Sequence, residues 1–332
     1  MKKKYQNKLY MLLSISLMVI GFNVGLNYFN VSASNTTYNK PYHAKKVLYH
    51  TKYNYYKAPN QQHKVSSAKH DYKKKFKLTR IAKSSPKVTY VKTKKGWINH
   101  NAFAQWVTGF GHMNYSMQVS GHNADLYNQP KNTKGYRKLA TTESLGLLNK
   151  WVTVNGRAET NAKKGYYRFN YDGQNYYIAG KYLKFNLNGL TGNNYKIEKA
   201  FKAGYKFYGK SPYAWGKGRT LSSVKAHHFD CSSFVHYIYS KAGIHLGSMS
   251  NATTFSLRNM GKPVNYKHMK RGDIFFFNDK SEGAFCHVGF YLGNGLFMHD
   301  SPSADTGGVG ISSLKDPHWS SRFNHTVRRI VY

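Results

Sequence analysis

The chain has 332 residues, room for two or three compact domains at about 100–200 residues each. Its 51 Lys+Arg against 13 Asp+Glu give a formal net charge of +38, a field that draws the protein toward polyanions. Two cysteines exclude a disulfide-stapled scaffold, no Cys-x-x-Cys or His-Glu-x-x-His framework points to a metal or other cofactor, and no nucleic-acid-binding module is recognisable.

In chain order, Lys2, Lys3, Lys4 and Lys8 precede a mostly apolar run from Leu9 to Val24, and Val31-Ser32-Ala33 offers small residues for cleavage before Ser34. This is the layout of an export signal over residues 1–33. An uncleaved anchor is the alternative, because the apolar run approaches the lower length for a membrane span. No later segment is apolar enough to cross a bilayer, so signal cleavage predicts a secreted protein with no membrane span. Residues 34–195 carry 28 basic and 5 acidic side chains, and residues 196–332 carry 19 and 8. For an exported chain, the partner that such charge predicts is an anionic cell envelope rather than nucleic acid. A lysine-rich solvated surface with no specific partner is the other reading.

Residues 34–75 are rich in Tyr, Lys, Asn, His and Ser, and Asp71 is their only acid. Without sustained periodicity they read as a partly disordered lead-in. From Phe76 to Asn188 short alternating stretches are broken by Gly, Asn and Pro, which predicts strands. Two of these stretches repeat weakly. Trp97-Ile98 precedes Phe103 as Tyr177-Ile178 precedes Leu183, with five positions from isoleucine to the next apolar residue in each. Leu126-Tyr127-Asn128-Gln129-Pro130 reads as the opening of the second unit. The pattern resembles the SH3-like wall-binding modules of bacterial surface enzymes, one over 76–110 (with an earlier start left open) and one over 111–190. Trp97 and Tyr177 read first as core aromatics and second as ligand platforms.

Residues 196–332 change character. Cys231 to Ala242 has apolar positions at Phe234, Val235 and Ile238, with Gly243 beyond as a stop, which predicts a helix with one buried face. Residues 273–277, 287–291, 296–299 and 327–331 read as strands, and the sum is an α+β domain. A thiol opening a helix, with His287 and His299 flanking the Gly293-Asn294-Gly295 turn, is a layout for nucleophilic catalysis. The helix N-terminus and a nearby imidazolium would lower the thiol pKa. A small buried cysteine is the bland reading of Cys231. If His287 faces the thiol, strand alternation turns Cys286 away, as a buried apolar residue.

Four ordered motifs then carry a specific resemblance. They are Ser211-Pro212-Tyr213-Ala214-Trp215-Gly216, Phe229-Asp230-Cys231-Ser232-Ser233-Phe234-Val235, Lys270-Arg271-Gly272-Asp273-Ile274-Phe275-Phe276-Phe277, and His287-Val288-Gly289-Phe290-Tyr291-Leu292-Gly293-Asn294-Gly295 running into Phe297-Met298-His299. With them, residues 196–332 resemble the NlpC/P60 family of papain-like peptidoglycan peptidases.

The resemblance implies a papain-like α+β domain behind small mostly-β modules. It implies Cys231 as nucleophile, His287 as base and His299 as the group orienting it. Tyr213, Asp230 and Ser232 would serve substrate placement and the oxyanion, and no cofactor is implied. The implied activity is hydrolysis of a stem-peptide amide in peptidoglycan, between D-isoglutamate and the diamino acid, by a cysteine peptidase associated with the cell wall. Implied partners are peptidoglycan and anionic wall polymers such as teichoic acids. A wall-binding or adhesion protein with an inactive peptidase domain and an N-acetylmuramoyl-L-alanine amidase are the alternatives. Two departures stand out. Ser233 replaces the family's usual Gly, and the segment between Trp215 and Asp230 is long, with Lys217, Arg219, Lys225, His227 and His228 in it. That segment reads first as a surface excursion and second as a loop that shapes substrate choice.

Overall fold

The computed structural model describes residues 38–332; the expected signal segment, 1–33, lies outside them. Strands β1 (Tyr38–Val47), β2 (Asn54–Tyr56), β3 (Lys64–Ser67), β4 (Lys75–Ser85), β5 (Val88–Thr93) and β6 (Gly96–Asn99) form a first sheet in the order β1-β4-β5-β6-β2-β3. Strands β7 (Val107–Val119), β8 (Asp125–Tyr127), β9 (Lys138–Thr141), β10 (Trp151–Thr160), β11 (Gly165–Tyr171), β12 (Gln174–Ala179) and β13 (Leu183–Phe185) form a second, ordered β13-β7-β10-β11-β12-β8-β9. Apart from β13 the two orders are the same. The pair Tyr56↔Trp97 in the first sheet has its counterpart in Tyr127↔Tyr177 in the second, and a 3-10 turn follows each, at His100–Phe103 and Gly180–Tyr182. The faint repeat of the sequence is therefore the end of a longer structural repeat.

The reading of 34–75 as a partly disordered lead-in is corrected by β1–β3, which belong to the first sheet. Their strands escape a hydropathy pattern because tyrosine rings, not aliphatic side chains, supply much of the buried surface. Tyr55 is fully buried, with Tyr42 and Tyr53 packed against the same cluster. The Tyr55 hydroxyl donates to Asp71 at 2.9 Å, and Lys74 and Lys95 reach the same carboxylate at 3.0 and 2.8 Å. Those donors hold the Asp71 carboxyl below its ordinary pKa against the opposing effect of burial. The segment's one acid is thus its internal anchor.

The C-terminal part begins with helices α1 (Tyr195–Tyr205), α2 (Leu221–Lys225), α3 (Cys231–Lys241) and α4 (Thr254–Leu257). It continues with β14 (Lys262–Pro263), β15 (Ile274–Asp279), β16 (Gly283–Gly293), β17 (Leu296–Asp300), β18 (Val309–Ser313), the short helix α5 (Pro317–Ser320) and β19 (Phe323–Arg329). The six strands make an antiparallel sheet ordered β14-β19-β15-β16-β17-β18. Alternation along β15 serves two cores. Ile274 and Phe276 join the cluster under α3, while Phe275 and Phe277 join Phe297 and Trp319 on the other face. The last strand lies earlier than 327–331, because Ile330 and Val331 pack against the main cluster outside the ladder.

The second sheet is seated on this domain, and its Met113, Tyr115 and Met117 share one apolar cluster with Phe234, Ile238 and Phe290. Tyr115 Oη donates to Asn294 O and meets Ser313 Oγ, both at 2.9 Å. At Gly111 a Cβ would come within 2.5 Å of Lys315 O, so only glycine permits this approach. Arg157, buried on β10, lies 3.0 Å from Asp305 and also pairs with Asp316, and Glu159 lies 3.2 Å from His318. Among the described residues no helix is long and apolar enough to cross a membrane.

Candidate active site

Cys231 opens α3, and Asp230 caps the helix. The Asp230 carboxylate accepts from Ser233 N at 3.0 Å while Ser233 Oγ accepts from Asp230 N at 3.0 Å, a reciprocal capping box. Ser233 thus secures the start of the helix that Cys231 opens. Its hydroxyl packs on Gly218, where a Cβ would come within 2.3 Å of Ser233 Oγ and φ is +84°.

Cys231 is buried, and the backbone N–H groups of Val288 and Ser232 offset part of the rise that burial causes in its thiol pKa. Val288 follows His287 on β16, the strand against which α3 packs. His287 Nε2 lies 2.9 Å from His299 Nδ1, and His299 Nε2 lies 2.9 Å from Ser312 Oγ. Three adjacent strands, β16, β17 and β18, each contribute one member of this relay. With Nε2 occupied, Nδ1 is the ring nitrogen of His287 left for proton exchange with a thiol. Ser312 had no sequence signal, because β18 reads Val309-Gly310-Ile311-Ser312-Ser313 and resembles a loop although every residue is buried.

Two cavities adjoin across this constellation. One of about 480 Å³ is lined by Cys231, Ser232, Arg219 and Phe285. The other, of about 250 Å³, is lined by His287, Tyr213 and Trp319. Trp215, Glu282 and Cys286 line both, so the two form one cleft with the thiol on one side and the imidazole on the other. Trp215 is 80% exposed and forms part of the wall.

Cys286 therefore does not turn away into a core. It is a half-buried free thiol in the cleft, with its sulfur 3.5 Å from Phe277 O. Strict alternation fails there because Phe285 has φ of +52° and the β15–β16 register shifts between Phe277 and Asp279. Cys231 is also free.

Tyr213 is placed by a bridge to Phe229 and by Ala214 N donating to Phe229 O at 2.7 Å. Burial, with Cys231 and Asp230 nearby, raises its phenol pKa, so the hydroxyl stays a donor. Asp230 and Ser232 are already engaged. Arg219 Nη1 donates to Asp230 Oδ2 at 2.5 Å, and Arg219 Nη2 donates to Ser232 Oγ at 3.1 Å and Ala252 O at 2.7 Å. The long segment after Trp215 is thus more than a surface excursion, since its arginine clamps the rim of the cleft.

Burial governs the electrostatics. It raises the Cys231 thiol pKa, aided by Asp230 and against the two backbone donors, and lowers His287 to about 3 and His299 well below the ordinary imidazole value. Desolvation opposes the helix start, so burial favours the neutral thiol and the neutral imidazole. Asp300, fully buried with both oxygens unpartnered, is raised to about 8 by burial and by Asp230. Among the described residues no three His, Cys, Asp or Glu side chains converge to hold a metal ion.

Residues 209–328 match the model of the NlpC/P60 family, and residues 111–184 match that of the GW (Gly-Tryp) dipeptide domain. The chain is 43% identical over 143 residues to the peptidoglycan DL-endopeptidase CwlO of Bacillus licheniformis, an alignment covering 43% of this chain and 30% of that protein. It is 36% identical over 102 residues to the murein DD-endopeptidase MepS/murein LD-carboxypeptidase of Escherichia coli, covering 31% of this chain and 50% of the relative. Thus it spans half or less of the length of these two relatives. Among solved structures it is similar to the peptidoglycan hydrolase RipB of Mycobacterium tuberculosis, with 26% identity, TM-score 0.33, and coverage of 41% of this chain and 65% of that one.

Proposed function

We propose that this chain, whose residues 209–328 match the NlpC/P60 family model and whose residues 111–184 match that of the GW domain, is a secreted peptidoglycan endopeptidase that cleaves a stem-peptide amide, between D-isoglutamate and the diamino acid. The observation that carries the reading is the His287–His299–Ser312 relay, which shares one cleft with the Cys231 thiol.

His287 takes the thiol proton as Cys231 sulfur attacks the carbonyl carbon, forming the S–C bond and an oxyanion. The protonated Tyr213 hydroxyl is the donor for that oxyanion. The intermediate collapses as His287 returns the proton to the departing amine, and water, activated by the same imidazole, hydrolyses the thioester. His299, backed by Ser312, keeps the His287 ring in the productive tautomer.

The basic modules ahead of this domain serve to hold the enzyme on the wall through peptidoglycan and anionic polymers such as teichoic acids. Residues 34–195 carry 28 basic against 5 acidic side chains. Tethering through a second surface raises local substrate concentration without new active-site contacts. Export rests on the segment 1–33. Ser233, the motive for an inactive adhesion protein, acts as a helix cap and leaves the thiol untouched, which supports activity.

Digesting peptidoglycan with the mature protein and with Cys231→Ala, and reading the fragments by mass spectrometry, tests the proposal. New amines on the diamino acid support it. A new lactyl end on muramic acid would indicate the amidase, and intact peptides with unchanged binding would indicate the adhesion protein.

A further inference from the structure

The GW module sends one side chain into the cleft. Lys163 sits in the turn between β10 and β11 and lines the His287 cavity together with Glu282, Asp279, Arg322 and His318. The turn is fixed from both sides. Lys163 N donates to Thr160 O at 2.7 Å and Thr160 N to Lys164 O at 3.0 Å. The preceding strand is held to the catalytic domain by Glu159–His318 and by Arg157 on Asp305 and Asp316.

Of the titratable groups around this cavity, three are already committed. Arg322 Nε lies 2.5 Å from Asp279 Oδ2, its Nη1 donates to His318 O at 2.7 Å, and His318 Nδ1 lies 3.2 Å from Glu159. Neither Lys163 nor Glu282 makes a side-chain hydrogen bond or ion pair among the described residues. The His287 side is also the leaving-group side, because the imidazole that protonates the departing amine must lie next to it. A diamino-acid peptide leaving from there carries a second ammonium and a terminal carboxylate.

Resting on the hydrolase reading above, we infer that the leaving-group subsite is built across two domains, with Lys163 of the GW module receiving a carboxylate of the departing peptide and Glu282 its side-chain ammonium. Lys163 is then a specificity-determining residue, and the wall-binding module takes part in substrate selection as well as tethering. An exposed Lys–carboxylate pair contributes about 0.2–1 kcal/mol, which sets the expected discrimination at up to about fivefold.

The test uses the full chain and a pair of synthetic L-Ala-γ-D-Glu-diamino-acid-D-Ala peptides that differ only in a C-terminal carboxylate or carboxamide. Binding is read in the Cys231→Ala background and KM in the active protein. The acid is expected to bind about two- to fivefold more tightly than the amide. Lys163→Ala abolishes that preference, raising KM for the acid toward that for the amide, Lys163→Glu reverses it, and Lys163→Arg retains it. Folding is checked by circular dichroism, and the Arg variant separates charge from structure. A preference that survives Lys163→Ala, or no preference in the parent, overturns the inference. Cysteine-dependent cleavage without the preference removes this inference alone. A Lys163-dependent preference in a chain that cuts nothing keeps the subsite and removes the hydrolase.

Discussion

Removing Arg157 tests whether the second sheet and the C-terminal domain act as one unit. Its guanidinium is buried, pairs with Asp305 at 3.0 Å and with Asp316, and stacks 5.5 Å from the Tyr167 ring centroid. Asp316 is itself buried, and burial raises its carboxyl pKa against the pull of Arg157. Arg157→Met therefore leaves two carboxylates facing an apolar side chain at the interface. Breaking a buried pair by deleting one partner costs about 3–5 kcal/mol. At about 2–4 °C per kcal/mol for a body of about 150–250 residues, the melting temperature falls by roughly 6–20 °C. Calorimetry at neutral pH is the assay, with limited proteolysis between residues 185 and 195 reporting loss of docking. Adding Asp305→Asn and Asp316→Asn to Arg157→Met removes the stranded charges and recovers most of the loss. A single variant melting within about 2 °C of the parent, the effect of less than about 1 kcal/mol, would refute the claim that this cluster holds the interface.

Three further outcomes follow from the same geometry. Asp300 keeps its proton up to about pH 8 when folded but loses it near its ordinary value of 3.8 when unfolded, so it lowers stability progressively as pH rises between those values, by up to about 1.4 kcal/mol per pH unit. Asp300→Asn should accordingly raise the melting temperature more at pH 8 than at pH 5, and a pH-independent gain would contradict the assignment. Along the relay, His287→Ala should cost about 10²–10⁴ in kcat, His299→Ala less, and Ser312→Ala about fivefold, the worth of one hydrogen bond near 1 kcal/mol; a Ser312 variant slower than the His299 variant would break this order. Binding of the Cys231→Ala chain to isolated walls should weaken from about 50 to 500 mM salt, a range that spans the contraction of the screening length below about 10 Å, and salt-independent binding would remove charge as the main attraction.

The C-terminal half was legible because the motifs that match the NlpC/P60 model are written in contiguous stretches. Asp230-Cys231 and Ser233 specify a capped helix start by themselves, and the Gly293-Asn294-Gly295 turn specifies the hairpin that brings His287 to His299. Ser312 and Lys163 were illegible for a different reason. Each reaches the site through strand pairing or domain docking, and a lone serine or lysine carries no periodic signal. The first sheet was half hidden because residues 38–67 turn Tyr42, Tyr53 and Tyr55 into the core, whereas its buried Val91 and Ile98 lie in the half that reads as strands. Cys286 was misread because alternation was assumed across a bulge. For Cys231 the sequence shows the helix start but not the depth of burial.

The central claim is that Cys231 cuts a peptide amide in the wall. Purified peptidoglycan is digested with the mature protein, with Cys231→Ala and with thiol-blocked enzyme, and the soluble fragments are resolved by mass spectrometry after labelling of free amines and reducing ends. The account predicts a new free amine on the diamino acid, full-length glycan strands, and no such products from the variant or the blocked enzyme. New reducing sugar ends that persist without the thiol, or equal peptide cleavage by Cys231→Ala, would contradict it.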